Sequence, residues 1–188
     1  PSGFHFEHAK AALESGANVL CEKPFTIDPD DAWELDHLAK NLNREILLSF
    51  GWHYRPIGVL AKKLMEEYGV GNIQHVMVAM GSATRELLKA TGDYEGAAAD
   101  FMPDWDTWTD PRLSGGGYAP AQLSHAMGLA LWLTNDRASQ VFAFMNNEDA
   151  RVDLHDAISI RYVSGATGTL SGASTPSAAN AVEEEDAP

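Results

Sequence analysis

The chain has 188 residues, 45% of them hydrophobic and 21% charged, the balance of a globular protein, and no apolar run nears the roughly 20 residues that cross a bilayer. Thirteen Lys and Arg against 27 Asp and Glu leave a formal charge of -14, which repels nucleic-acid backbones and anionic lipid surfaces. No nucleic-acid or membrane partner is expected, and a cytoplasmic location is the default. The one cysteine, Cys21, has no partner for an internal disulfide. It reads as a small buried strand residue, with a lowered-pKa thiol beside Lys23 as the alternative.

Phe4 to Ser15 carries Ala9, Ala12 and Leu13 at helical spacing before Gly16, and predicts a helix with a glycine cap. Ala17 to Cys21 reads as a short parallel strand buried on both faces, ended by the charges of Glu22 and Lys23. Asp28-Pro29-Asp30-Asp31 is a helix start: Asp28 caps, Pro29 suits the first position, and two carboxylates face the positive end of the dipole. That helix should run to about Asn43, with Ala32, Leu35, Leu38, Ala39 and Leu42 as its apolar stripe, and Ile46 to Phe50 should be the next buried strand. Pro56 to Tyr68 predicts an amphipathic helix with Leu60, Leu64 and Met65 on one side.

Longer strands follow at Ile73 to Ala83, Val141 to Asn146, Ile158 to Val163 and Thr167 to Ala173. A long loop, Arg85 to Ser114, and a helix, Ala119 to Leu133, separate the first two. The expected fold class is α/β plus α+β. Residues 1–55 form the second half of a doubly wound parallel sheet, residues 56–173 a partial, mostly antiparallel sheet domain with a packed helix, and residues 174–188 a loose acidic tail.

Glu22-Lys23-Pro24 falls at the carboxyl end of a parallel strand, where open α/β sheets bind their ligands. A partly desolvated lysine there can hydrogen-bond a substrate hydroxyl and stabilise an alkoxide or carbonyl oxygen. The alternative is an ordinary strand-end lysine. Gly115-Gly116-Gly117 precede a helix and either bring backbone close to a ligand or simply admit positive φ. On that helix Leu123, Ala126, Met127 and Ala130 form the apolar face, while Ala121, His125, Gly128 and Trp132 form a separate stripe. His5-x-x-His8 has no third and fourth ligand at a diagnostic interval, so no metal is expected.

The ordered series Pro1-Ser2-Gly3-Phe4-His5, Ala12-Leu13, Gly16 and Val19-Leu20-Cys21-Glu22-Lys23-Pro24 resembles the glucose-fructose oxidoreductase/inositol dehydrogenase family. The similarity continues through Gly51-Trp52-His53-Tyr54-Arg55-Pro56, Trp108, and the triple glycine with His125 eight residues beyond. The resemblance implies a Rossmann-like part binding NAD or NADP, then a sheet domain that supports homo-oligomers. The implied activity is that of an NAD(P)-dependent oxidoreductase, moving hydride between nicotinamide and a secondary alcohol or ketone of a sugar, inositol or similar polyol. It also implies Lys23 and His125 as catalytic, Lys23-Pro24 as a cis peptide, and Ser2, His5, Glu22, Lys23, Pro24 and His53 as cofactor-binding.

Ala121 stands where the family often has an aspartate one turn before the histidine, and Gln122 is the expected substitute partner for His125. That departure supports an alternative, a catalytically silent scaffold for oligomer formation or partner binding. No Gly-x-Gly-x-x-Gly follows a strand in these residues. The chain is therefore expected to be a fragment that alone binds the dinucleotide weakly.

Overall fold

The computed structural model describes residues 1–91, 94 and 103–177. Its first unit follows the local signals closely. Helix α1 (His5–Glu14) leads through Gly16, at φ 89°, into strand β1 (Val19–Cys21). Helix α2 (Pro29–Leu42) begins where the Asp28 carboxylate accepts the Asp30 N–H at 2.8 Å, and ends at Asn43 in the left-handed region. A cap of this kind is worth about 1 kcal/mol. Strand β2 (Ile46–Leu48) pairs in parallel with β1.

Leu13 and Leu35 are fully buried between the helices, with Ala9 and Ala39, and Val19 and Ile46 pack against them. Burying one leucine contributes about 1.5–3 kcal/mol. Alternate strand residues point the other way. Leu20, 70% exposed, lies opposite Leu47, 53% exposed. Both strands were expected to be buried on both faces. Among the described residues only one face is covered, because α1 and α2 pack on the side of Val19 and Ile46.

A tight turn at Gly51–Tyr54 delivers the chain to helix α3 (Pro56–Tyr68), whose first residue is the proline that marked it in the sequence. Its packed side differs from the expected one. Gly58 is buried, whereas Leu60 and Leu64 are exposed. A Cβ at Gly58 would lie 2.7 Å from the Trp52 carbonyl oxygen, so the helix turns its smallest residue towards the turn that passes over it.

The second unit is a four-stranded mixed sheet in the order β3-β6-β5-β4, formed by β3 (His75–Ala83), β4 (Ala138–Asn146), β5 (His155–Tyr162) and β6 (Thr167–Thr175). β4–β5 and β5–β6 are antiparallel, while β3 runs parallel to β6. The segment expected as a loop from Arg85 to Ser114 contains three short helices, α4 (Arg85–Lys89), α5 (Trp105–Thr109) and α6 (Pro111–Ser114). Its residues 92, 93 and 95–102 lie outside the described residues. One π-helical turn, Ala119–Leu123, then runs into helix α7 (Ser124–Thr134).

α7 covers one face of the sheet. Leu123 and Ala126 pack with Tyr118, Leu88, Val152 and Leu154, and Leu131 packs on the cluster of Ile160, Tyr162 and Leu170. Met127, assigned above to the apolar face, is exposed, and Ser124 is buried instead. β6 continues through Thr175, and the buried Ser177 donates its N–H to the Glu86 carboxylate at 3.2 Å. The ordered chain thus runs past Ala173, and the rest of the expected tail, 178–188, lies outside the described residues. No helix among the described residues is long and apolar enough to cross a membrane.

Candidate active site

Lys23 lies two residues beyond Cys21, the last residue of β1, and the Lys23–Pro24 peptide bond is cis. His5, the first residue of α1, lies beside that loop with its Nδ1 2.9 Å from the Pro24 carbonyl oxygen. A carbonyl only accepts, so Nδ1 carries the proton and the His5 tautomer is assigned. Lys23 Nζ donates to the Ala121 carbonyl oxygen at 2.5 Å. These residues, with Ser2, Glu22, Thr107, Trp108 and Ser114, line a cavity of about 250 Å³. Burial lowers the Lys23 pKa below the usual 10.5, against a smaller upward pull from Glu22. The site therefore combines one half-buried cation, three hydroxyls and a flat indole.

The glycines after α6 explain how Ala121 reaches the lysine. Gly115 and Gly116 take φ of 79° and 136°. Gly117 donates its N–H to Asp153 Oδ1 at 2.6 Å, Ala119 donates to Oδ2 at 2.7 Å, and Tyr118 donates to the Asp153 carbonyl at 2.9 Å. A Cβ on Gly117 would lie only 2.0 Å from the Asp153 carbonyl oxygen. Of the two readings offered for these glycines, positive φ holds at the first two. At the third, close approach holds too, but to the chain's own backbone.

His125 sits one turn beyond Ala121, with its ring stacked on Trp52 at 5.5 Å and edge-on to Phe50 at 6.5 Å. Its Nδ1 is buried and has no hydrogen-bond partner. Gln122, the expected substitute for the aspartate, makes no bond to it, and the Ala121 side chain has none to offer. Burial first, then the charges of Lys23 and Arg55, hold the imidazole pKa below 6.5, with Glu22 opposing. The ring is therefore neutral at pH 7.

Ser2, His5, Glu22, Lys23 and Pro24 are thus brought to one cavity, with His125 on an aromatic shelf outside its lining. His53 is not brought there. It stacks on Trp132 at 4.9 Å and tilts against Phe50 at 5.5 Å, with Nε2 buried and unpartnered. Cys21 is buried, and burial and Glu22 push its thiol upward, the reverse of the activated alternative. Asp153, which caps the turn carrying Ala121, and the buried Asp156 were not singled out from the sequence. A lone acidic residue between Val152 and Leu154 carries no local signal.

Two family descriptions match the chain: "Oxidoreductase family, NAD-binding Rossmann fold" over residues 1–50, and "GFO/IDH/MocA C-terminal domain" over residues 59–183. The chain belongs to the GFO/IDH/MocA family. Among curated proteins similar to it, a D-glucoside 3-dehydrogenase of Escherichia coli (strain K12) is 31% identical over 117 residues, covering 62% of this chain and 29% of that protein. A D-xylose 1-dehydrogenase (NADP(+)) of Hypocrea jecorina is 28% identical over 116 residues, covering 62% and 28%.

An inositol dehydrogenase homolog from Azotobacter vinelandii, solved with NAD+, superposes with a TM-score of 0.77 at 22% identity over 95% of this chain and 44% of its own. An aldose-aldose oxidoreductase from Caulobacter crescentus, solved with glycerol, gives 0.74 at 20% identity over 94% and 49%. The GFO/IDH/MocA fold is thus shared across both units. The chain spans about a third of the length of these curated relatives and under half of the solved ones.

Proposed function

We propose that this GFO/IDH/MocA chain contributes the catalytic face of an NAD(P)-dependent oxidoreductase acting on a secondary alcohol or ketone of a sugar, inositol or similar polyol. Residues 1–55 would be the dinucleotide-binding part and residues 56–173 the substrate and oligomerisation part. The observation that carries the reading is the half-buried Lys23 ammonium in a cavity lined by Ser2, Thr107, Ser114 and Trp108. Hydroxyls, one cation and a planar wall suit a flat, hydrogen-bonding ring such as nicotinamide beside a polyol. When bound, nicotinamide supplies the hydride acceptor or donor.

Lys23 would hold the substrate oxygen and stabilise negative charge on it, in surroundings dry enough to make that contact strong. His5 and Glu22 would shape the loop that carries it. His125, neutral at pH 7, would take or return the hydroxyl proton through Nε2, since Nδ1 is buried. Removing the charge should cost about 100-fold or more in kcat. The test is a dehydrogenase assay of the full-length protein over a panel of sugars and polyols with NAD and NADP, with Lys23→Ala beside the unsubstituted protein. Undiminished turnover of Lys23→Ala overturns the reading.

The 188-residue chain alone would bind the dinucleotide weakly, because the pyrophosphate needs a glycine-rich turn at a helix N-terminus and these residues offer none after a strand. Fluorescence titration with NADH checks this, and tight binding refutes it. The unpartnered His125 Nδ1 beside Ala121 favours a second reading, a silent scaffold. A sugar panel without turnover by the full-length protein, together with a stable oligomer by light scattering, would select it.

A further inference from the structure

We infer that Asp153 is a positioning residue for Lys23: its carboxylate fixes the turn that presents the Ala121 carbonyl, and that carbonyl holds the lysine ammonium. The inference rests on the reading of Lys23 as the group that contacts the substrate oxygen. Lys23 belongs to the parallel unit and Ala121 to the helix packed on the mixed sheet, so the 2.5 Å bond between them joins the two units at the cavity.

The turn Ala119–Leu123 has no side-chain cap of its own and no acidic residue in its first positions. Pro120 has no N–H and Ala121 N–H bonds to the Gly117 carbonyl at 3.0 Å, so the amides of Gly117, Tyr118 and Ala119 are the ones that need an acceptor from elsewhere. Asp153 is that acceptor, taking Gly117 N–H and Ala119 N–H on separate oxygens while its own carbonyl takes Tyr118 N–H. Three successive amides are thereby tied to one residue, which sets both the position and the rotation of the turn.

Asp153 is itself held rigidly. Its neighbours Val152 and Leu154 are buried, Leu154 N–H bonds to the Asn146 carbonyl, and the Leu154 carbonyl accepts from Ser174, each at 2.8 Å. The mixed sheet thereby locates Ala121, two residues beyond the second capped amide.

The test is a double-mutant cycle in urea unfolding with Asp153→Asn and Lys23→Met. The asparagine keeps the shape of the aspartate and one acceptor oxygen, so the variant retains a folded turn to measure. Residues that share only an intermediate carbonyl should be non-additive by about threefold or more in the unfolding equilibrium constant. Additivity within error overturns the inference.

A second measurement is independent of stability. Lys23→Met should shift the Ala121 carbonyl ¹³C resonance in the parent, and the shift should shrink in the Asp153→Asn background. An unchanged shift also overturns the inference. Asp28→Ala, which removes an equivalent cap from α2, should leave that resonance response intact, and a loss there as large as that caused by Asp153→Asn would count against a specific role. Neither measurement reads turnover. If Lys23→Ala retained full dehydrogenase activity while the cycle showed coupling, only the functional reading would fall; additivity alongside lost turnover would remove this inference alone.

Discussion

At the scale of single residues, Asp156 is a group whose ionisation costs the fold stability. It is 3% exposed, and as a carboxylate neither of its oxygens has a donor. Burial, together with the neighbouring Asp153 carboxylate, raises its pKa from 3.8 to about 7. As an acid it can instead donate to Asp153, leaving that residue the charge that caps the Ala119 turn. The folded state therefore prefers the protonated form. The stability this contributes is complete below about pH 3.8, declines as pH rises towards 7, and is absent above that. A shift of this size corresponds to a few kcal/mol, on the order of 1.4 kcal/mol per unit. Asp156→Asn, whose amide can still donate to Asp153, should stabilise the protein by roughly 1–3 kcal/mol at pH 8. Urea midpoints of the two proteins should converge below pH 4, and a gap that did not change with pH would contradict the assignment.

At the scale of elements, starts and stops were legible where their cause is local. Asp28 before Pro29, Pro56 at the head of α3 and Gly16 after α1 each act within a turn of their own position, and all stand where the sequence put them. What decides the inner side of α3 is the path of the 51–54 turn over Gly58, which its own periodicity does not encode. The triple glycine shows the same division. Its need for positive φ is local, but the reason for Gly117 is the Asp153 backbone, 36 residues away. Gly117→Ala would force a Cβ to 2.0 Å from that carbonyl oxygen. Backbone on both sides has little room to yield, so the substitution should cost about 3 kcal/mol or more and shift the ordering of Ala121. Thermal unfolding checks the loss, and an unchanged melting temperature would show that the turn is looser than its geometry. Lys23 and the neighbours that the resemblance grouped with it line one cavity, whereas His53 lies apart from it, because stacking on Trp132 rather than sequence order decides where that ring points.

At the scale of the whole molecule, the mixed sheet has one face under α7 and one face open among the described residues. Register places Met77, Thr169, Ser159 and Phe142 in one row across that open face, and Ala79, Ser171, Ala157 and Phe144 in the next. The central positions are small, the ends Met77, Phe142 and Phe144 are large and apolar while the end Ala79 is small, and Phe144 is 72% exposed with its ring edge-on to Phe142 at 4.9 Å. A flat surface of this composition can bury its aromatic ends only against another flat surface, and a second copy presents the same rows in reverse order about a twofold axis. The proposed homo-oligomer would therefore form sheet to sheet, with each protomer's phenylalanines against the Met77 and Ala79 edge of the other. Phe142→Lys with Phe144→Lys would put two cations into that contact while leaving the α7 side of the sheet untouched. Light scattering should then give the mass of a smaller species at concentrations where the parent is associated, with the melting curve of the isolated protomer little changed. Equal masses for parent and variant would remove this face from the assembly and turn attention to other exposed apolar surface, such as the Leu20–Leu47 pair of the parallel unit and Leu60 and Leu64 of α3.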